Sequence, residues 1–137
     1  MKENLSAPLG VRYIPYAFLH KEISAAYSAA SVVLSRAGAS TLGELPLFGL
    51  PAILVPYPYA WRYQKVNADY LVSHNAAICI ENAELSAKLV SVLDDILTDQ
   101  EKLASMSANM HSLATPAAAA KIADLLLELG NREEGLK

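Results

Sequence analysis

The chain has 137 residues, of which 53% are hydrophobic and 18% are charged. This length suits one domain with a substantial core, and the composition excludes an intrinsically disordered chain. The formal net charge is −3, from 11 basic and 14 acidic residues, and no basic run stands out, so a nucleic-acid partner is not expected. The single cysteine permits no internal disulfide, which is consistent with a reducing compartment.

The sequence predicts neither a membrane-spanning helix nor a signal peptide. Residues 45–61 form a long uncharged stretch, but four prolines interrupt it, the first at Pro46 and the last at Pro58. The segment Met1–Ser6 lacks the apolar core of a signal peptide. A cytoplasmic protein is therefore expected.

The alternation of predicted strands and helices indicates the α/β class. The apolar patterns predict, in order, a strand over Val11–Ile14, a helix over Leu19–Ala30, a strand over Ser31–Leu34, a short helix from about Thr41, a strand over Ala52–Val55, a helix over Tyr63–His74, a strand over Ala77–Ile80, and helices over Leu85–Leu97, Asp99–Leu113 and Thr115–Gly130. We expect a Rossmann-like parallel sheet of about four strands with helices on both faces. Residues 1–130 are expected to form a single domain, and residues 131–137 a charged, disordered tail.

The stretch from Leu34 to Pro56 reads as strand, turn, helix and strand. Thr41 and Glu44 have the spacing of a capping box, and Gly49 is placed to stop the helix. A helix that begins directly after a parallel strand directs its free N–H groups toward the carboxyl edge of the sheet, where a phosphate can bind. A tight turn without a ligand explains the same residues equally well. The pattern matches neither a dinucleotide fingerprint, a P-loop nor a nucleophile elbow.

Polar residues follow two of the predicted strands, at the sheet edge where ligands bind open α/β sheets. They are Ser35, Arg36, Ser40, Thr41 and Glu44 after one strand, and Tyr57, Tyr59, Trp61, Arg62, Gln64 and Asn67 after the next. A carboxylate can accept two hydrogen bonds from a vicinal diol, and amides suit sugar hydroxyls, so this set fits a nucleotide-sugar pocket. Glu44 as half of a capping box, and Gln64 and Asn67 as surface residues, remain open alternatives.

The sequence gives little indication of a metal site or of catalytic groups. His20, His74 and His111 lie far apart without metal-ligand spacing. Asp94 and Asp95 are adjacent on a predicted helix, as expected of a solvated face. Neither a catalytic triad nor a general base is evident.

The central motifs resemble those of a known family. They are S-V-V-L-S-R-A-G-A-S-T-L-G-E-L over Ser31–Leu45, G-L-P-A-I-L-V-P-Y-P-Y-A over Gly49–Ala60, and Gln64–Ala68. They strongly resemble the carboxy-terminal donor-binding domain of the MurG-like GT-B glycosyltransferases, and the likeness extends over roughly Tyr13–Leu129. Those inverting enzymes transfer N-acetylglucosamine from UDP-GlcNAc to the lipid-linked muramyl-pentapeptide precursor of peptidoglycan.

The resemblance implies a role for each donor-binding candidate. The diphosphate would face the turn formed by Gly38, Ala39, Ser40 and Thr41, and the ribose hydroxyls would be held by Glu44. The GlcNAc hydroxyls would contact Gln64 with Asn67, and the uracil would contact the backbone near Leu19 and His20. Arg36 would belong to the same donor-binding set. The family often has two adjacent glutamines where this chain has Tyr63 and Gln64, so only one carries over. No metal or cofactor is expected.

The chain lacks the family's amino-terminal acceptor domain and its glycine-rich loops, so it is expected to begin inside the donor domain. The resemblance then implies a catalytic base in that absent part, a partner domain or subunit that holds the lipid acceptor, and a location at the inner face of the plasma membrane. An exposed sheet edge would permit homo-oligomers. The alternatives are a non-catalytic subunit of a split glycosyltransferase, or another GT-B enzyme such as a UDP-GlcNAc 2-epimerase.

Overall fold

The computed structural model describes residues 12–59 and 63–134, with side chains in the second range described up to residue 131. Its elements are α1 (Ile23–Ala29), β1 (Val33–Ser35), α2 (Ala39–Phe48), β2 (Ala52–Leu54), α3 (Tyr63–Ser73), β3 (Ala77–Cys79), a 3-10 turn (Asn82–Glu84), α4 (Leu85–Thr98), α5 (Gln100–Ser112) and α6 (Ala118–Glu134). Trp61 and Arg62, which the sequence placed in the polar cluster, lie outside the described residues.

The three strands form one parallel sheet in the order β1-β2-β3. Leu34 is in register with Ile53, which is in register with Ile78. The predicted first strand is wrong: Arg12–Tyr16 contains no strand, and Val11 lies outside the described residues. Tyr13 and Ile14 are 40% and 65% exposed, and an apolar run needs a neighbouring strand as well as a suitable pattern to join a sheet.

Helices cover both faces of this sheet, so the predicted α/β class is confirmed. On one face, Ala52 and Leu54 of β2 pack in a cluster with Leu45 of α2 and Leu71 of α3. On the other, Ile53 packs in a cluster with Ile96 of α4 and other apolar residues. Successive strand residues point to opposite faces, and for this reason every residue of β2 is buried.

The α2 helix begins at the carboxyl end of β1, as predicted, but not through a capping box. Gly38 is the N-cap in an extended conformation, and no side chain caps it. The hydroxyl of Thr41 instead donates to the Arg36 carbonyl over 3.1 Å, and Glu44 lies beyond the first turn. The predicted stop is confirmed, because Gly49 adopts the left-handed conformation with a φ of 56°.

The last helix runs farther than the sequence indicated. It passes Gly130 and ends at Glu134, so the predicted stop at Gly130 is wrong and the expected boundary at residue 130 lies inside the helix. Among the described residues, Gly49 is the one glycine with a positive φ. A glycine that keeps helical geometry lowers stability by about 1 kcal/mol without ending the helix. Within the described ranges, no helix is both long and apolar enough to cross a membrane.

Candidate functional site

The carboxyl ends of β1, β2 and β3 meet at one edge of the sheet, as parallel strands must. Three segments leave that edge. Residues 36–38 lead from β1 into α2, residues 55–59 follow β2, and residues 80–82 follow β3. The polar residues predicted after the first two strands therefore lie near one another, at the position where open α/β sheets bind ligands.

The start of α2 offers hydrogen-bond donors to this edge. Helix geometry leaves the N–H groups of Ala39 and Ser40 without intrahelical partners, and both residues are exposed. The N–H of Thr41 donates to the Gly38 carbonyl over 3.1 Å, and the Thr41 side chain is buried with its hydroxyl bonded to Arg36. Of the two hydroxyls in the predicted diphosphate segment, Ser40 is thus accessible to a ligand, whereas Thr41 shapes the turn.

Glu44 lies four residues after Ser40, so the two side chains share a helix face. The Tyr27 hydroxyl of α1 donates to Glu44 Oε2 over 3.2 Å, and its ring packs edge-on against Phe48 with centroids 5.5 Å apart. Burial raises the pKa of Tyr27, and the hydrogen bond to Glu44 and that residue's charge raise it further. No signal in the sequence indicated Tyr27 as a polar partner, because Glu44 lies 17 residues farther along the chain.

Gln64 and Asn67 of α3 are both bonded to loops at the site. Gln64 Oε1 accepts from the Tyr57 N–H over 2.8 Å, and Asn67 Nδ2 donates to the Ala37 carbonyl over 3.0 Å. Each amide thus uses one of its two polar ends to hold a loop, and retains the opposite end: Nε2 of Gln64 remains a donor and Oδ1 of Asn67 an acceptor. The surface-residue alternative does not account for these two bonds.

Arg36 spans the site. Its Nη1 donates to the carbonyls of Val55 and Pro56 over 3.0 and 3.4 Å and to Asn82 Oδ1 over 2.8 Å. Asn82 follows β3, and the sequence had given no signal for it. Arg36 therefore joins the ends of all three strands.

His20 lies apart from this group in the described structure. It is exposed, its backbone N–H donates to Glu22 Oε2 over 3.3 Å, and its ring lies 4.4 Å from that of Phe18. The structure gives no hydrogen bond or ring contact between His20 and the other described candidates, so its predicted place near a uracil stays a prediction.

Other reactive groups do not form a second site within the described ranges. Among the described residues, no group of three or more His, Cys, Asp or Glu side chains is placed to hold a metal ion. Asp95 is paired with Lys102. Cys79 is half-buried, and that burial raises the pKa of its thiol.

Cavity size alone does not identify the site. Two open clefts of about 310 and 330 Å³ lie at the amino ends of the strands, beside Pro51 and Ala77 respectively, and a smaller cleft of about 240 Å³ lies beside Arg36 at the carboxyl edge. The carboxyl edge is the stronger candidate because the loops after all three strands meet there, and because open α/β sheets bind their ligands at that edge.

The chain is similar to proteins of known family. Residues 2–126 match the model of the glycosyltransferase family 28 C-terminal domain. Two similar relatives are each named UDP-N-acetylglucosamine--N-acetylmuramyl-(pentapeptide) pyrophosphoryl-undecaprenol N-acetylglucosamine transferase. The protein from Listeria welshimeri is 46% identical over 73% of this chain and 28% of its own length, and that from Bacillus subtilis is 40% identical over 82% of this chain and 31% of its own.

A solved structure has the same fold. The crystal structure of Acinetobacter baumannii MurG superposes with a TM-score of 0.72 and 28% identity, over 80% of this chain and 33% of that one. The chain thus spans about a third of the length of the relatives that it matches. Because the family model extends over nearly all of its residues, the chain belongs to the glycosyltransferase family 28 C-terminal domain family.

Proposed function

We propose that this chain is the UDP-GlcNAc-binding part of an inverting N-acetylglucosaminyltransferase that acts on a lipid-linked muramyl-pentapeptide in peptidoglycan synthesis. The names of the similar relatives support this activity. The observation that carries the proposal is that the start of α2 and the amides of Gln64 and Asn67 lie at one sheet edge. The bond from Asn67 to Ala37 joins α3 to the turn that opens α2.

Each group has a task that its chemistry suits. The N–H groups at Ala39 and Ser40, with the positive end of the α2 dipole, would bind the diphosphate and stabilise the charge that develops as UDP leaves. The carboxylate of Glu44 would accept from the two ribose hydroxyls, and Nε2 of Gln64 would donate to a sugar hydroxyl. These contacts would orient the anomeric carbon for attack by the acceptor. The mechanism requires no metal.

The remaining tasks belong to a partner domain or subunit in this proposal. The general base and the site for the lipid acceptor would lie there, and through it the assembly would work at the inner face of the plasma membrane. This division is supported by the length of the relatives, of which the chain matches about a third.

Calorimetric titration of UDP-GlcNAc, UDP and GDP into the purified chain tests the proposal. We expect saturable binding of both uridine ligands, weaker binding of GDP, and a loss of about tenfold or more in affinity for Glu44→Ala, because one carboxylate is proposed to make two charge-assisted bonds. Asp94→Ala is the matched control, since it removes an exposed carboxylate from α4.

The titration has clear contrary results. Equal affinity for UDP and GDP would contradict a uridine site. Unchanged affinity in Glu44→Ala would remove Glu44 from the site. Absence of binding by the unsubstituted chain would contradict the proposal and favour a non-catalytic module.

A further inference from the structure

Arg36 makes an unusual set of bonds for an exposed side chain. Its Nη1 donates to two consecutive main-chain carbonyls, those of Val55 and Pro56, and to the side chain of Asn82. Val55 and Pro56 follow β2. Asn82 lies 46 residues after Arg36, in the segment that follows β3. One arginine thereby connects the end of its own strand to the ends of both other strands.

The carbonyls of Val55 and Pro56 follow the last residue of β2, beyond the paired residues of the sheet. Val55 and Pro56 are buried, and a buried carbonyl without a hydrogen-bond partner destabilises the fold. The guanidinium of Arg36 supplies the missing donor for both carbonyls.

The same arginine reaches the sugar-facing amide through Tyr57. The guanidinium carbon lies 5.4 Å from the centre of the Tyr57 ring, within the range of a cation–π contact. The N–H of Tyr57 in turn donates to Gln64 Oε1 over 2.8 Å. The loop that Arg36 holds is therefore the loop that sets the orientation of the Gln64 amide, with Oε1 bonded to the protein and Nε2 left for a ligand.

These contacts assign a role to Arg36 that differs from a direct bond to the diphosphate. We propose that Arg36 is a positioning residue, which holds the Pro56–Tyr57 loop and through it the Gln64 amide, so that the site distinguishes UDP-GlcNAc from UDP. This inference rests on the proposed function. Asn82 contributes to the same positioning, because it accepts the shortest of the three hydrogen bonds that Arg36 donates.

Separate affinities for UDP and UDP-GlcNAc test the assignment. Arg36→Met keeps an unbranched apolar stem but removes the donors, and we expect it to weaken the binding of UDP-GlcNAc about tenfold more than the binding of UDP. Asn82→Ala should change the same ratio in the same direction by a few-fold. Lys88→Met is the control, because it removes an exposed cation of α4 that is paired with Glu84, and it should leave the ratio unchanged.

Two further variants separate positioning from charge. Arg36→Lys keeps the charge, but its shorter side chain lacks the planar guanidinium that lies over the Tyr57 ring, so the defect in the ratio should persist. In a Gln64→Ala background, Arg36→Met should change the ratio by less than twofold, because the group through which it acts is gone. Circular dichroism verifies that each variant is folded. If Arg36→Met is unfolded, the change of the affinity ratio in Asn82→Ala tests the inference instead.

The outcomes distinguish this inference from the function on which it rests. Equal weakening of UDP and UDP-GlcNAc by Arg36→Met, with recovery in Arg36→Lys, would assign the guanidinium to the diphosphate and overturn the inference alone. Additive effects of Arg36→Met and Gln64→Ala on the ratio would overturn it as well. If the unsubstituted chain bound no UDP, the proposed function would fail and the inference with it.

Discussion

At the scale of single residues, side chains of similar chemistry have separate tasks at the candidate site. Ser40 and Thr41 are adjacent hydroxyl residues, yet the hydroxyl of Thr41 is spent on the Arg36 carbonyl and Ser40 is exposed. Glu44 is exposed as well but is already bonded to Tyr27. A ligand that used Glu44 would therefore meet a carboxylate whose orientation is partly set before binding.

The contact between Tyr27 and Glu44 predicts a dependence of stability on alkaline pH. The folded protein holds the Tyr27 proton to a higher pH than the unfolded chain does, chiefly through burial. Stability from this group is complete below about pH 10 and is lost as the pH rises through the folded pKa. The free energy of unfolding should thus fall more steeply above pH 10 in the unsubstituted chain than in Tyr27→Phe.

Urea unfolding between pH 8 and pH 11 measures this difference. Below pH 10, loss of one partly exposed hydrogen bond should cost Tyr27→Phe no more than about 1 kcal/mol. Tyr59→Phe is the control, since Tyr59 is 82% exposed, and its curve should run parallel to that of the unsubstituted chain. Parallel curves for Tyr27→Phe would contradict the prediction.

At the scale of elements, the glycine inside α2 and the glycine that caps its carboxyl end have opposite requirements. Gly49 ends the helix with a φ of 56°, and a Cβ there would lie 3.3 Å from the Cβ of His111 and 3.3 Å from the Ser107 carbonyl oxygen. Gly43 lies inside the helix, and a Cβ there would meet nothing within 4 Å. The end of α2 is therefore determined by backbone conformation and by contact with α5, whereas Gly43 is not needed for either.

Gly49→Ala should lower the free energy of unfolding by about 1–2 kcal/mol, because alanine is strained in the left-handed region. Gly43→Ala should raise it by about 0.5–1 kcal/mol, because alanine loses less conformational entropy in a helix. Urea unfolding of both variants at neutral pH measures these changes. If the two substitutions had the same sign, the account of how α2 ends would be incorrect.

At the scale of the whole molecule, the apolar residues fall into a core around β2 and an exposed set on α6. Ile53 of β2 is fully buried, whereas Ile122 and Leu126 of α6 are 60% and 64% exposed. β1 also has a described partner on one side only. The expectation of self-association through exposed surfaces stays a prediction.

Matched substitutions distinguish the core from α6. Ile53→Val should lower the free energy of unfolding by about 0.5–1.5 kcal/mol, because the removed methylene leaves a space in the packed core. Ile122→Val removes the same group from an exposed helix face, and its effect should stay within about 0.5 kcal/mol. Urea unfolding of both variants measures the contrast. Equal losses would mean that α6 is buried in solution.

The sequence by itself determined the order of β1, α2, β2, α3 and β3 and the family of the chain. Apolar runs, prolines and glycines act locally, so they mark where strands and helices begin and end within a few residues. Local patterns also located the edge at which the polar residues gather, since parallel strands end on the same side. Local patterns gave wrong predictions at two places. The apolar run Val11–Ile14 would need a neighbouring strand to join the sheet, and Gly130 would need a left-handed conformation to end the helix.

Only the tertiary structure decided what the polar residues contact. The bonds from Tyr27 to Glu44, from Asn67 to Ala37 and from Arg36 to Asn82 join residues 17, 30 and 46 positions apart. No periodicity or spacing encodes such pairs, because they depend on how the loops after β1, β2 and β3 converge once the sheet has formed. The proposal that Arg36 positions Gln64 rests on these long-range contacts, whereas the sequence had placed Arg36 only within the donor-binding set.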